Sequence, residues 1–254
     1  MGIDVLAIGP HPDDVEMTSA GLLVKMKARG YSTGIVHLTC GELGSRGTPE
    51  EREREAAEAA RIIGVDHMEM LGTEKGFADG AVRVSEETKR SLAEVVRRLR
   101  PRLVVAPYPR DPHPDHANAG LVAAQAVHFA ELKNFDIEGE PHYSGQLVYA
   151  MYRTVFEPAF VVDVTDEFET KKRAVLAYHS QVGPTKEGEK ESRLSSPEFL
   201  RGWEARHVFY GNMIGRRYGE PYFSEYVIPL ADPVAAFDVP QQRRLAARTL
   251  APGG

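Results

Sequence analysis

The segment that decides the fold is DVLAIGPHPDDVE, residues 4–16. Its first half, 4–9, is an apolar run with β-branched residues, which is typical of a buried strand. A His-Pro-Asp-Asp turn follows directly and leads into a segment with helical periodicity. The same order, a short apolar run and then a longer helical segment, recurs along the chain. Such alternation predicts βα units and a mostly parallel sheet.

The predicted elements give an α/β fold of the Rossmann-like, three-layer type. We predict strands at 4–9, 33–39, 67–71, 103–107, 147–152 and 160–164. We predict helices at 18–29, 49–63, 85–100, 115–130, 167–181 and 197–218. One domain is expected over residues 1–230. Residues 183–196 are polar and turn-prone, which suggests a mobile flap, and 231–254 are expected to form a tail that is disordered or packs on a neighbouring subunit.

Composition narrows the classes of function. The net charge of −6 argues against general nucleic-acid binding, which requires a basic face. No apolar run approaches the length of a membrane span, and the N-terminus lacks signal-peptide features, so we expect a cytoplasmic protein with a small-molecule partner. Because Cys40 is the only cysteine, a metal would have to be held by histidine and carboxylate ligands.

A second motif, His113-Pro114-Asp115-His116, follows the strand predicted at 103–107. The first motif, at residues 11–14, follows strand 4–9 in the same way. Alone, that first motif is more typical of a capped turn at a helix start. Two such motifs at equivalent strand ends instead favour a metal site, because together they supply the nitrogen and oxygen ligands that zinc prefers, with carboxylates left for proton transfer. We place this site at the carboxyl edge of the sheet.

Together the two motifs resemble those of the PIG-L superfamily of metal-dependent N-acetylglucosaminyl deacetylases, and the likeness covers most of residues 4–220. Within the superfamily the chain is most similar to the bacillithiol-biosynthesis deacetylases, which act on N-acetylglucosaminyl malate. That closer likeness rests on LT (38–39), GELGSRGT (41–48), ER (51–52), FVVDVT (160–165) and SSP (195–197). The resemblance implies zinc-dependent removal of an N-acetyl group.

The resemblance also implies roles for individual residues. The metal ligands would be His11, Asp14 and His116, with zinc as the expected ion and iron or cobalt as alternatives. Asp13 would be the general base. His113 would steady the oxyanion or protonate the leaving amine, and Asp115 would hold the His113 ring in the required tautomer. Glu16 is an alternative base, although an acidic residue in the first turn of a helix is equally typical there.

Substrate contacts are expected from arginines. Arg52 matches a substrate-binding arginine of the family, and a malate carboxylate would suit its guanidinium; the alternative is a helix-surface position among glutamates. Arg46 is the second candidate. Arg110 lies two residues before the position where relatives carry an arginine, Pro112 in this chain, so its role is open. Phe199 stands where some relatives have a tyrosine, which leaves oxyanion stabilisation to zinc and His113.

Several alternatives to the malate substrate remain open from the sequence. The substrate could be a chitooligosaccharide or a thiol conjugate, and a silent metal- or sugar-binding protein is the non-enzymatic alternative. Retention of Asp13 beside a complete ligand set argues against the silent protein, because a binding-only site needs no further carboxylate. The resemblance and the aromatic C-terminal helix also predict a homo-oligomer, most simply a hexamer.

Overall fold

The computed structural model describes residues 2–185 and 193–232. Its strands are β1 (Val5–Gly9), β2 (Thr33–His37), β3 (His67–Met70), β4 (Leu103–Pro107), β5 (Gln146–Ala150), β6 (Phe160–Asp163) and β7 (Gly219–Phe223). Its helices are α1 (Asp14–Ala28), α2 (Pro49–Ile63), α3 (Glu86–Leu99), α4 (Pro114–Glu131), α5 (Phe168–Leu176), α6 (His179–Val182) and α7 (Pro197–Met213). Short 3₁₀ turns lie at Thr73–Lys75 and Arg193–Ser195.

The strands form one mixed sheet in the order β3-β2-β1-β4-β5-β7-β6. The pairs β1–β2, β2–β3, β1–β4 and β4–β5 are parallel, and β7 runs antiparallel to both β5 and β6. The predicted mostly parallel α/β fold is therefore confirmed. Strand β2 lies on one side of β1 and β4 lies on its other side. The direction in which successive strands are added to the sheet therefore reverses between β1 and β4. Ligand-binding crevices form at such a position, outside the carboxyl ends of the strands.

Two apolar cores lie on opposite faces of the sheet. In β1, Leu6 and Ile8 pack in one core with residues of α3 and α4. Val5 and Ala7 face the other way and pack in a core with residues of α1, α2 and α5. This alternation follows from the two-residue period of a strand, and both sets are apolar because helices cover both faces. The result is the expected helix–sheet–helix sandwich.

The local sequence sets the start of several helices. Thr48 accepts the Glu51 amide while the Glu51 carboxylate accepts the Thr48 amide, so α2 begins with a complete capping box. Ser85 and Thr88 make the equivalent pair at the start of α3. Gly64 ends α2 in the left-handed region at φ 81°, where glycine has no steric penalty.

The C-terminal third differs from the prediction. The segment 167–181 forms two helices, because the chain turns at Tyr178 to bury that ring completely. The segment 197–218 is helical only to Met213 and is followed by strand β7, which the sequence analysis missed. Pro221 lies within β7, and a proline argues against a central strand when only sequence is considered. Likewise α1 begins at Asp14, before the predicted residue 18.

Helix α1 is held against β7 and α7 by buried polar contacts. The amides of Gly21 and Leu22 donate to the Glu220 carboxylate at 2.9 and 2.8 Å, and Lys171 Nζ lies 2.5 Å from Glu220 Oε1. The Trp203 indole N–H donates to the Met17 carbonyl oxygen at 2.8 Å. These contacts fix α7 beside the first turns of α1, which carry Asp14.

Some expectations lie beyond what the structure describes. Residues 186–192 of the predicted flap and residues 233–254 of the predicted tail are outside the described residues, and the single-domain boundary stays a prediction. Across 2–185 and 193–232, no helix has the length and apolar character needed to cross a membrane.

Candidate active site

The two His-Pro-Asp motifs meet at the carboxyl ends of β1 and β4. The first forms the turn between β1 and α1, and the second caps and begins α4, after the loop that follows β4. Because β1 and β4 are neighbours in the sheet, the turns face the same crevice. A cavity of about 660 Å³ opens there and is lined by residues of both motifs and by Phe199 and Trp203 of the α7 side.

His11, Asp14 and His116 are brought together as the sequence analysis expected. Asp14 Oδ2 lies 3.0 Å from His11 Nδ1 and 3.5 Å from His116 Nε2, and one ligand atom from each residue lies within 4.8 Å of the others. Two imidazole nitrogens and one carboxylate oxygen fit a divalent metal and leave a coordination position for water or substrate, as catalytic zinc sites require.

Carboxylates hold the far side of both histidine rings. His11 Nε2 lies 3.2 Å from Asp79 Oδ1 and 3.2 Å from Asp115 Oδ2, and His116 Nδ1 lies 3.1 Å from Asp111 Oδ1. These contacts favour a proton on His11 Nε2 and on His116 Nδ1. His11 Nδ1 and His116 Nε2, the nitrogens beside Asp14, then keep their lone pairs for a metal.

Asp115 contacts His11 and His113 through different groups. Its carboxylate accepts the amides of Gly80 at 2.7 Å and Val82 at 3.2 Å and faces His11. Its backbone N–H instead donates to His113 Nδ1 at 3.3 Å. Asp115 thus contacts the His113 ring through its main chain and not through its carboxylate, and its role in holding that ring stays a prediction. A neutral His113 then carries its proton on Nε2.

His113 is positioned to donate a hydrogen bond as a neutral ring. It lines the cavity and stacks on His116 with ring centroids 4.4 Å apart. Burial lowers the pKa of His113, and the neighbouring His116 lowers it further. At neutral pH the ring is therefore uncharged, which matches a donor to a developing oxyanion or a leaving amine.

Asp13 occupies a strained position beside the ligand group. Its φ of 102° lies in the left-handed region, its carboxylate makes no capping bond to α1, and only 5% of the residue is exposed. Burial raises the pKa of Asp13 to about 7, although Arg52 opposes the rise. Strain of this kind costs on the order of 1–3 kcal/mol and persists where the surroundings enforce it. A carboxyl group with a pKa near 7 suits proton transfer at neutral pH.

The two predicted substrate arginines have different surroundings. Arg52 lines the cavity, donates to the Pro12 carbonyl oxygen and lies 3.3 Å from Asp13 Oδ2, so it supports the turn that carries the candidate base. Arg46 donates to the carbonyl oxygens of residues 183 and 184 and is not among the residues that line the cavity. The structure thus shows a contact between Arg52 and Asp13, and ties Arg46 to a neighbouring loop.

Glu16, the alternative base, faces away from the cavity. It is fully buried and accepts the Tyr178 hydroxyl at 2.9 Å, with His37 Nε2 3.7 Å away. Burial raises the pKa of Glu16 to about 8. These contacts give Glu16 a place in the packing behind the site, and of the two candidate bases Asp13 is the one that lines the cavity.

Several residues of the site were missed from the sequence. Asp111 lies two residues before His113, and a carboxylate so close to a histidine motif could have indicated a partner for one of its rings. Asp79 and Tyr152 gave no such signal, because they follow other strands and are brought in only by folding. The Tyr152 ring packs edge-on against His116 at 4.9 Å, and three further arginines, Arg153, Arg193 and Arg206, line the cavity.

Comparison with known proteins agrees with this geometry. The family model PIG-L, described as GlcNAc-PI de-N-acetylase, matches residues 6–127, which include both motifs. Over 230 residues the chain is 33% identical to the diacetylchitobiose deacetylase of Thermococcus kodakarensis, covering 85% of this chain and 80% of that protein. The chain belongs to the PIG-L family. The predicted family is confirmed, as is the predicted class of enzyme, the hydrolases that act on amide bonds.

Two further PIG-L comparisons bear on the fold and on the substrate. The chain is 28% identical over 195 residues to a probable N-acetyl-alpha-D-glucosaminyl L-malate deacetylase 2 of Bacillus anthracis, covering 72% of this chain and 82% of that protein. A crystal structure of a conserved protein from Thermus thermophilus superposes with a TM-score of 0.81 at 40% identity, covering 90% of this chain and 98% of that one.

Proposed function

We propose that this PIG-L protein hydrolyses the N-acetyl group of an N-acetylglucosamine derivative with the help of a bound divalent metal, zinc being our first choice and ferrous iron the alternative. The observation that carries the proposal is the convergence of His11, Asp14 and His116 beside Asp13, a buried carboxylate outside the ligand group. A binding-only site would have no use for that carboxylate. When bound, the metal supplies positive charge that polarises an acetyl carbonyl and acidifies water.

The chain's own residues then divide the proton transfers. Asp13, which lines the cavity beside the ligand group, takes a proton from the attacking water. His113 donates from Nε2 toward the oxygen that gains charge and assists departure of the amine, which leaves acetate and the free amino sugar. Asp111, Asp79 and Asp115 keep the two metal-binding rings oriented through their far nitrogens.

For the substrate we propose N-acetyl-alpha-D-glucosaminyl L-malate, the compound deacetylated in bacillithiol biosynthesis. Support comes from the similarity to the Bacillus anthracis protein and from the motif segments at 41–48 and 160–165. The second candidate is diacetylchitobiose, because the identity to the Thermococcus kodakarensis enzyme is higher, at 33%. Both substrates present the same acetamido group to the site and differ in the group attached to the sugar.

Acetate release tests this proposal. Protein stripped by a strong chelator and then reloaded with zinc or ferrous iron is assayed with the malate glycoside, diacetylchitobiose and N-acetylglucosamine. We expect no turnover without metal and recovery on reloading, with the malate glycoside turned over fastest. Full activity of a sample shown to be metal-free by elemental analysis would refute metal dependence. Faster turnover of diacetylchitobiose would transfer the substrate assignment to the second candidate.

We also propose a cytoplasmic homo-oligomer, a hexamer in the simplest case, with a small amino-sugar substrate and no nucleic-acid or membrane partner. Support comes from the net charge of −6 and from exposed aromatic residues such as Phe209 and Tyr226. Light scattering at micromolar protein concentration tests the assembly, and a monomer would contradict it.

A further inference from the structure

Besides Arg52, three arginines line the cavity from segments that carry no metal ligand. Arg153 follows β5, Arg193 opens the 3₁₀ turn before α7, and Arg206 lies in α7. The metal-binding group, in contrast, comes from the turns after β1 and β4. The cavity therefore combines an acidic, histidine-rich part with side chains that carry positive charge.

These arginines have no carboxylate partner within the part of the chain that the structure describes. Arg206 is half-buried and donates to the Tyr152 carbonyl oxygen, and the Arg193 guanidinium lies over the Phe199 ring at 5.4 Å from its centroid. Burial lowers the pKa of Arg206, and the nearby charge of Arg193 adds to this effect. The two guanidinium groups beside one cavity thus repel each other, although Tyr210 and Asp111 act on the pKa of Arg206 in the opposite direction.

Other arginines of the protein have carboxylate or main-chain carbonyl partners. Arg52 has Asp13, Arg98 has Glu69 at 2.6 Å, and Arg61 has Glu58 at 2.6 Å. The buried Arg97 donates to several main-chain carbonyl oxygens, among them those of Ala130 and Leu132. The cavity arginines differ because they line a space large enough for a ligand.

We infer that Arg153, Arg193 and Arg206 bind an oxyanion, a carboxylate or a phosphate, on the group attached to the sugar. The inference rests on the proposed function, since it assumes that the acetamido end of the same ligand reaches Asp13 and His113. An anion entering a cavity that already holds Asp13 and Asp14 requires nearby cations, and guanidinium groups match oxyanions through paired hydrogen bonds. Arg52 is engaged with the Asp13 turn, so recognition of the anion falls to the other three.

Discrimination between charged and neutral substrates tests the inference. The probes are methyl N-acetylglucosaminide as the neutral glycoside, N-acetylglucosamine 1-phosphate for phosphate, and the malate glycoside for carboxylate. The variants are Arg193→Gln, which changes an exposed side chain, and Arg206→Gln with Arg206→Lys as its charge-conserving partner. Arg201→Gln is the matched control, because Arg201 is exposed on the same helix and does not line the cavity.

We expect each glutamine variant to lower the ratio of kcat/KM for an anionic substrate over the neutral one by roughly tenfold to hundredfold, the loss expected of a hydrogen bond to a charged group. Arg206→Lys should lose less, and Arg201→Gln should keep the wild-type ratio. The anionic substrate whose kcat/KM ratio falls more in these variants shows whether the site binds a carboxylate or a phosphate. Equal losses on neutral and anionic substrates would overturn the inference while leaving the deacetylase assignment intact.

Equilibrium binding separates failure of the inference from failure of the proposed function. Calorimetry on metal-loaded Asp13→Asn protein measures affinity for the phosphate and methyl glycosides without turnover. Tighter binding of the phosphate glycoside, lost in the added Arg193→Gln change, supports the inference even if no substrate releases acetate. Equal affinity for these two glycosides excludes phosphate as the bound oxyanion, and equal affinity for the malate and methyl glycosides as well refutes the inference.

Discussion

Replacement of Asp13 by asparagine should remove catalysis without unfolding the protein or releasing the metal. The asparagine side chain would keep the shape of the original and an oxygen to accept from Arg52, which lies 3.3 Å from Asp13 Oδ2. Asparagine also tolerates the left-handed backbone region, which the φ of 102° demands. The new amide cannot take a proton from water. The base is therefore lost while its surroundings are preserved.

The size of each effect follows from the position of Asp13. Loss of a general base lowers kcat by about 10²- to 10⁴-fold, equivalent to about 2.7–5.5 kcal/mol in the barrier. The free energy of unfolding should change by less than about 1 kcal/mol for Asp13→Asn, because no buried acceptor is lost. Asp13→Ala should be as inactive but less stable, since alanine in the left-handed region costs about 1–2 kcal/mol and Arg52 loses an acceptor.

Three measurements on the same samples check this prediction. Acetate release gives kcat, elemental analysis gives the metal content, and urea denaturation gives the free energy of unfolding. Asp13→Asn with intact metal and near wild-type turnover would refute Asp13 as the base. Loss of metal in Asp13→Asn would instead make Asp13 a ligand, contrary to the geometry of the His11, Asp14 and His116 group.

Three further predictions concern metal affinity, packing and pH. Asp111→Asn should weaken metal binding by about tenfold to hundredfold, because His116 Nδ1 loses a charged partner at 3.1 Å; titration against a chelating dye that finds wild-type affinity would contradict it. Gly21→Ala should destabilise the fold by about 1–3 kcal/mol, because a Cβ there would lie 2.7 Å from Glu220 Oε1 and 2.8 Å from Val164. Gly202→Ala should instead stabilise its helix by about 0.5–1 kcal/mol, because a Cβ there would have no heavy atom within 4 Å. Urea denaturation of both variants decides between these signs. Burial holds the pKa of His207 well below 6.5, so below that pH the unfolded chain binds a proton that the folded chain does not, and the free energy of unfolding falls by up to about 1.4 kcal/mol per pH unit. In His207→Gln the free energy of unfolding should therefore change less steeply with pH between about pH 5 and 7. An unchanged pH dependence would mean that other groups cause it.

Local sequence was enough to predict the parallel part of the sheet and the metal-binding group. Strands β1 to β6 and helices α2 to α4 were found because their apolar periods and caps are local properties of the chain. A metal site was expected because two histidine- and aspartate-rich motifs follow parallel strands whose carboxyl ends meet at one edge, and the resemblance to the PIG-L family supplied His11, Asp14 and His116 as its candidate ligands. Strand β7 was missed because Pro221 argues against a strand unless its neighbours β5 and β6 are already known.

By itself, the sequence determined the α/β class, the edge of the sheet that holds the site, and the family. Only the tertiary structure decided which side chains support that site. The carboxylate beside His116 Nδ1 is Asp111, the donor to His113 Nδ1 is the Asp115 backbone amide, and the arginines that join Arg52 in lining the cavity are 153, 193 and 206. Such contacts join residues far apart in the chain or depend on where a side chain points. Motif spacing specifies which residues follow a strand, whereas the partners of each side chain depend on how distant elements pack.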